Sequence, residues 1–438
     1  MRRITILLLT TMAAALVMAS GVAWAANAGD LDTSFDGEGR VVFDVFGGVN
    51  DSARAVAIQP DGKIVVAGRW AGFASDGSGG AFALARFNPD GSLNKAFGSG
   101  GRTLVAFPNA AAEAKGVAIQ PDGKIVAAGT HGGDFALARL QSDGDLDPSF
   151  SGDGKVTTSF GGNLIGEAVA IQGNGKIVVA GTNWELGRDH DADFALARYD
   201  TDGSLDSGLD GDGKLTTGLG GQDEAYAVAI QTNIPFDHRT RIVVAGHKSG
   251  DIALARYYAN GSLDSGFDGD GKRTTDFGGS GAANGVAIQG NGRIVVAGSN
   301  AFGGDIDIVL ARYATDGDLD ASFSSNGRVV TDFGGWVWAR GIAIQGNGRI
   351  VVAGLTWPGG AGSPDEDFAL ARYRTDGSLD SSFSGDGKQA TGFGDRDRAE
   401  AVAIQPDGKI VAAGSTNVGS EADSDFALAR YHAITDGS

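Results

Sequence analysis

Seven arginines stand at one position of a recurring F-A-L-A-R-Y string or a close variant of it: Arg86, Arg139, Arg198, Arg256, Arg312, Arg372 and Arg430. Each copy also carries a carboxylate or amide in a following connector, at Asp32, Asn94, Asp147, Asp206, Asp264, Asp320 and Asp380. Two chemistries suit this pattern. A ring of guanidinium groups could hold an anion, or each arginine could pair with its own acid. Along an extended segment Arg198 shares a face with Phe194 and Leu196, so its stem packs among apolar side chains. A ligand site rarely needs the same residue in every copy, whereas a contact that locks each copy does. The arginines are therefore read as structural ion-pair partners.

Other reactive patterns are weaker. Asp200-Thr201-Asp202-Gly203-Ser204-Leu205-Asp206 approaches an oxygen-ligand loop for calcium. The residue two before Asp200 is the cation Arg198, and other copies replace Asp200 by Asn88, Gln141, Tyr258, Ala314 or Arg374. Turns stabilised by Asp and Gly explain the connectors better, and no metal site is expected. His131, His190, His238, His247 and His432 form no H-E-x-x-H or other ligand spacing. No nucleophile elbow is present, and the chain has no cysteine, which removes thiolate chemistry and disulfides together. No catalytic residue and no cofactor is assigned. With 35 Lys and Arg against 54 Asp and Glu, the net charge of −19 repels phosphate backbones and argues against nucleic acid as a partner.

The elements that must position these residues follow from repetition. The string A-I-Q ends at Gln59, Gln120, Gln172, Gln231, Gln289, Gln345 and Gln405, roughly every 58 residues, a period that calls for a repeat fold. One unit contains four segments of strand character, Ala168 to Gln172, Lys176 to Gly181, Phe194 to Tyr199 and Lys214 to Leu219. Gly173-Asn174-Gly175, or Pro60-Asp61-Gly62 in another copy, supplies the tight turn between the first two. Four antiparallel strands in each of seven units describe an all-β, seven-bladed β-propeller. The C-terminal Thr435-Asp436-Gly437-Ser438 stops inside a connector that Leu31-Asp32-Thr33-Ser34-Phe35 resumes before a strand of the fourth kind, Arg40 to Phe46. The N-terminal strand is thus expected to complete the last blade and close the ring, which removes an open edge.

Residues 1–25 read as a signal peptide: Arg2 and Arg3, the apolar run Ile4 to Val17, then Ala23-Trp24-Ala25 before the cleavage point. Residues 26–438 form the single propeller, with no membrane span in the mature chain. The repeated A-[VI]-A-I-Q-x-[DN]-G-[KR]-I-V-x-A-G, F-A-L-A-R-Y, [TS]-D-G-[SD]-L-D-x-S-F and G-D-G-K-x-T-T-x-F-G-G strings resemble the delta-60 repeat, a bacterial β-propeller repeat family. That resemblance implies a secreted or surface bacterial propeller and brings no catalytic residues.

Recognition is expected where the repeat stops repeating. The loops between second and third strands vary in length, and their end of the molecule carries Trp70, Trp184, Trp336, Trp338 and Trp357. One residue before each [AG]-[VI]-A-I-Q string also varies: Arg54, Lys115, Glu167, Tyr226, Asn284, Arg340 and Glu400. If the first strands line the axis, these seven ring the channel mouth. Trp336, Trp338 and Arg340, in the connection from the fifth unit to the sixth, are the best single cluster, because alternate residues of an extended segment share a face. The reading is an exported, secreted or periplasmic, monomeric and non-catalytic propeller that binds a carbohydrate or an envelope or extracellular protein. Its rivals are a hydrolase or lyase at the channel mouth and a purely structural surface protein.

Overall fold

The computed structural model describes residues 27–47, 50–73, 79–185, 192–232, 234, 239–359, 365–417 and 424–433. The segment read as a signal peptide, His190, His238 and the terminal half-connector lie outside them. The described residues form 28 strands in seven four-stranded antiparallel sheets. Six sheets are built from consecutive strands and begin at Asp51, Ala112, Asn163, Asp223, Ser280 and Trp336; they are blades I to VI. Blade VII joins Asp397–Ile404, Ile410–Asn417 and Ser424–Tyr431 to the N-terminal strand Arg40–Phe43. Arg40 pairs with Ala429 and Phe43 with Phe426, so the ring closes between the two ends of the chain.

The strands differ from the sequence reading mainly at their ends. In blade III the first strand starts earlier, at Asn163, and the fourth is short, Lys214–Thr217. Trp336, Trp338 and Arg340 do not lie in a connection: they belong to the first strand of blade VI, Trp336–Ile344. Burial alternates at this strand start: Val337 and Ala339 pack into the core, while Trp336 and Trp338 are half-buried on the other face. The second and third strands are buried almost throughout, as their continuous apolar runs require when neighbouring blades cover both faces.

Blades are joined by matched side chains. The residue after each repeated Arg packs on the last residue of the preceding blade's outer strand. Where that residue is Thr, the partner is Tyr: Tyr199 donates to Thr158 at 2.8 Å, Tyr373 to Thr331 at 2.9 Å and Tyr431 to Thr391 at 2.9 Å. Where it is Val105 the partner is Leu140, within one apolar cluster, and where it is Phe43 the partner is Phe87, edge-on at 5.5 Å. Connector glycines seat the next contact. Gly203, at φ +90°, lies against Phe150 of the preceding blade, and a Cβ there would meet the ring at 2.9 Å.

Candidate functional site

Two ends of the propeller carry polar constellations, and they are built differently. At the connector end each repeated Arg pairs with its connector acid: Arg139 Nε lies 2.8 Å from Asp147, Arg312 Nε 2.8 Å from Asp320 and Arg372 Nε 2.9 Å from Asp380. A second cation, at the start of the second strand, reaches the same carboxylate. Lys176 lies 2.7 Å from Asp206, Arg349 2.9 Å from Asp380 and Lys409 3.0 Å from Asp32. Among the described residues, Nη1 of six of these arginines turns outward to a backbone carbonyl of the next blade: Arg86 to Ser142, Arg139 to Thr201, Arg198 to Ala259, Arg256 to Thr315, Arg312 to Thr375 and Arg430 to Pro89. The guanidinium plane sits over a connector phenyl ring, 4.6 Å for Arg139 on Phe150 and 4.7 Å for Arg372 on Phe383. The pair expected within one blade is therefore also a staple between blades. Against their burial, hydrogen bonds and nearby cations hold these acids below the usual carboxylate range, as Ser149, Arg139 and Lys124 do for Asp147. In blade I, Asn94 replaces the acid and meets Arg86 at 3.3 Å.

At the other end the first strands form the inner ring, and every one of them carries a β-bulge. The pairing with the second strand shifts between Ala53 and Ala55, Ala114 and Gly116, Gly166 and Ala168, Ala225 and Ala227, Ala283 and Gly285, Ala339 and Gly341, and Ala399 and Ala401. The extra residue at each shift is Arg54, Lys115, Glu167, Tyr226, Asn284, Arg340 or Glu400, the seven that vary. A bulge leaves its extra residue out of the ladder and re-aims its side chain. It also explains the repeated glycine on the second strand: a Cβ on Gly181 would lie 1.9 Å from the Ile165 carbonyl. Beyond the bulge, Val56 and Ile58 pack into the blade core, which turns Ala55 and Ala57 toward the axis. Small residues are needed there. A Cβ on Gly341 would come within 3.0 Å of the Ala401 backbone of the next inner strand.

The seven bulge residues line one cup of about 270 Å³, together with Glu113. Its charges are balanced, three cations against three carboxylates, and cross-linked. Arg54 lies 2.7 Å from Glu113 and 3.0 Å from Glu400, Lys115 lies 2.7 Å from Glu167, and Arg340 lies 3.6 Å from Glu400. Against burial, Glu400 and Glu113 hold the Arg54 guanidinium above its usual value. Burial pushes the Glu167 carboxyl up, with Lys115 opposing it. Tyr226 donates to Glu224 at 2.7 Å, and burial together with that acceptor pushes its phenol well up.

A groove of about 820 Å³ opens from the cup across blades IV to VI. Its floor is made of the small residues of blade V, Ser280, Gly281, Ala282, Ser299 and Ala301. Blade VI contributes Trp338 and Arg340, and blade IV contributes Tyr226 and His247, whose rings lie 5.7 Å apart at 30°. Asn284, at the foot of the groove, donates its amide to the Ala339 carbonyl at 2.8 Å. Trp336, Trp338 and Trp357 form one cluster, with centroid separations of 5.9, 5.7 and 4.9 Å, and Trp336 Nε1 donates to Gly304 at 2.9 Å. Trp70 and Trp184 stand apart from it, Trp70 against the core beside Phe46 and Trp184 opposite Asn163 in blade III. Glu113, Glu224 and His247 were not anticipated from the sequence. The signal available for two of them is the position two before each bulge, which also fails to repeat: Ser52, Glu113, Ile165, Glu224, Ala282, Trp338 and Arg398.

At the funnel end, where the turn between the second and third strands of blade V meets the connection into blade VI, Asp305, Asp307 and Asp332 bring carboxylate oxygens within 4.8 Å of one another, the one such acidic group among the described residues. Burial, then Asp305 and Asp332, push the Asp307 carboxyl up. No described helix is long and apolar enough to cross a membrane.

A family model described as "Domain of unknown function (DUF5122) beta-propeller" matches residues 59–97, 120–150, 172–209, 241–267, 289–323, 345–383 and 405–438, and the chain belongs to this family. No curated protein matches. Among solved structures, a catalytically inactive variant of virginiamycin B lyase from Staphylococcus aureus, with quinupristin, is similar at 11% identity and a TM-score of 0.52, over 89% of this chain and 98% of that one. The polysaccharide lyase Uly1 is similar at 11% identity and a TM-score of 0.44, over 88% of this chain and 91% of that one. Sqt1 from Chaetomium thermophilum is similar at 11% identity and a TM-score of 0.42, over 88% and 98%. What the chain shares with the lyase from Staphylococcus aureus is the fold.

Proposed function

We propose that this DUF5122 propeller is an exported, monomeric recognition protein that uses the funnel of cup and groove to bind a carbohydrate or a protein of the cell envelope or exterior. One observation carries the reading. Seven bulges aim side chains of five kinds into a single cup, whereas the inward positions beyond each bulge keep Ala or Gly. Bulges cost ladder hydrogen bonds and concentrate at working sites. The groove is of a size that suits a small ligand or a projecting segment of a partner, within the range of about 300–1,000 Å³ common for such sites.

The lyase or hydrolase alternative would need a poised acid or base at the mouth. Glu113, Glu167 and Glu400 each sit within ion-pair distance of a cation, and the raised Tyr226 phenol stays protonated, which supports recognition; Glu167, pushed up by burial, and His247 are the groups a catalytic reading would have to use. The test is an array of glycans and envelope proteins probed with the purified chain and with Arg340→Ala and Tyr226→Ala variants. Binding by the unaltered chain that both variants weaken supports the reading. Binding that neither variant moves, or turnover of an arrayed glycan, overturns it.

A further inference from the structure

Charge, stacking surface and floor together specify the ligand more narrowly, on the premise that the funnel is the binding site. We infer that the groove across blades IV to VI binds a neutral oligosaccharide, with one sugar ring on Trp338, a neighbouring ring at Tyr226 and His247, and hydroxyls directed to the polar floor of blade V.

The first argument is electrostatic. The cup has no charge to offer: three cations face three carboxylates, and each is engaged by an opposite partner. An anionic ligand would have to draw Lys115 or Arg54 away from glutamates held at 2.7 Å, or take Arg340 from Glu400 at 3.6 Å and leave Glu400 to Arg54 alone. A cationic ligand would face the same obstacle in reverse. Lys115 and Glu167 expose only 26% and 19% of their side chains, so taking one away leaves the other poorly solvated and without its partner, which is unfavourable. A neutral polyol breaks none of these pairs. It can accept from Lys115 and Arg340 and donate to Glu167 at the same time, because ion-paired groups retain unused donors and lone pairs.

The second argument is shape. Trp338 and Tyr226 stand on first strands that flank blade V, and blade V lowers the surface between them with Ser280, Gly281 and Ala282. Two aromatic shoulders around a trough of hydroxyls and small side chains match a chain of pyranose rings, whose faces are apolar C–H surfaces and whose edges carry hydroxyls. The Trp338 ring is backed by Trp357 at 4.9 Å and 85°, and by Trp336 at 5.9 Å. A stacking ring fixed in place by its neighbours loses less freedom when a ligand arrives. The third argument is the repeat itself. At the position of Trp338 the other units carry Ser52, Glu113, Ile165, Glu224, Ala282 and Arg398, so blade architecture does not ask for an indole there.

The experiment uses the purified full chain with three probe sets in solution: neutral gluco-, manno- and galacto-oligosaccharides; uronate and sulfated oligosaccharides; and chitosan oligomers as cationic sugars. Tryptophan fluorescence and calorimetry report binding, with Trp338→Ala and Asn284→Ala as groove variants and Trp184→Ala as a variant outside the groove. The expected result is that a neutral oligosaccharide shifts the fluorescence, that Trp338→Ala weakens it at least tenfold, and that Trp184→Ala leaves it within twofold. A circular dichroism melt checks that each variant is folded, and Trp338→Phe, which keeps a stacking face, should restore part of the affinity. If uronates, sulfated sugars or chitosan bind and neutral sugars do not, with Trp338→Ala still weakening them, the ligand class is overturned and the funnel stands. If a neutral sugar binds equally well to both groove variants, the groove is overturned and with it the funnel reading. If none of the three sets binds, the inference of a sugar ligand is overturned, and the protein arm of the array remains the test of the funnel.

Discussion

At the connector end Arg139 and Asp147 expose 3% and 5% of their side chains, the pair is reinforced by Lys124 and Phe150, and nearly the same set recurs around the ring. At the funnel end Arg54 exposes 37% and divides itself between Glu113 and Glu400, and no two units supply the same set. Both ends are built from cations and carboxylates at hydrogen-bond distance. They differ in what the pairs are fastened to. Connector arginines such as Arg139 bond their own blade's acid and the next blade's backbone, so removing one opens a seam. A bulge residue bonds other side chains across the cup, so removing it changes the surface presented and leaves the ladders intact. Repetition marks the contacts on which blade assembly depends, and its failure at the bulges marks positions released from that duty.

The largest effect should come from the seam where the two chain ends meet. Deleting residues 26–46 removes the strand Arg40–Phe43, exposes the ladder groups of Ser424–Tyr431 as an unpaired edge, and takes away Asp32, which holds Arg430 at 2.8 Å and Lys409 at 3.0 Å. The truncated chain should aggregate or lose its cooperative melt, measured by size-exclusion chromatography and calorimetry. A monomer with unchanged melting would show that the seam contributes nothing special.

Next in size is the staple itself. Asp147→Ala leaves Arg139 buried against Phe150 without its acid, and uncompensated buried charges cost roughly 3–5 kcal/mol. Chemical denaturation should show a loss of that order, while the affinity per folded molecule for any funnel ligand stays the same. Normal stability with lost binding would move the arginine ring from structure to function and erase the contrast between the ends.

The two kinds of acid should also separate by pH. Burial pushes Asp51, at the seam between blades VII and I, up to about 7, with Asp44 and Asp425 adding repulsion and the Val45 amide opposing it. A raised carboxyl favours the protonated folded state, so its contribution is present below the unfolded value near 4 and is lost as pH rises through about 7. The connector acids are lowered, so theirs is present at neutral pH and is lost as pH falls below about 4. Melting temperature should therefore decline from pH 5 to pH 8, and Asp51→Asn should flatten that decline. An unchanged slope in the variant would mean that Asp51 does not titrate in this window.

Much of this architecture is legible in the sequence because it repeats. Seven A-I-Q strings, the positive-φ turn at Gly62 and Gly175, and the acid or amide matched to each Arg all follow from local chemistry written seven times. What escapes is set by pairs far apart in the chain. The match of Tyr to Thr, Leu to Val and Phe to Phe across blades needs the outer strand of one unit aligned with the third strand of the next, although the co-variation is present in the residues. The bulges escape for a different reason: a single extra residue leaves the apolar period of a short strand almost unchanged. For that reason the seven varied positions can be found by comparing units, while their shared direction, and the presence of Glu113 and His247 beside them, needs the backbone.

The smallest effect on stability should come from the cup, and it is the sharpest test of the contrast. Glu400 bridges Arg54 at 3.0 Å and Arg340 at 3.6 Å, so Glu400→Gln removes the one carboxylate these two cations share. Both guanidinium groups are more than a third exposed, and pairs of that kind contribute about 0–1 kcal/mol. Stability should change by no more than that. The charge balance of the cup should shift by one unit toward positive, which releases Arg340 from its only ion-pair partner among the described residues and gives anions a foothold the unaltered cup denies them. Titration with a uronate oligosaccharide should then show binding that rises as salt is lowered, since exposed charges are screened over about 8–10 Å at ordinary ionic strength. If Glu400→Gln instead unfolds the protein, the bulge residues belong with the staples. The two ends would then differ in sequence but not in duty.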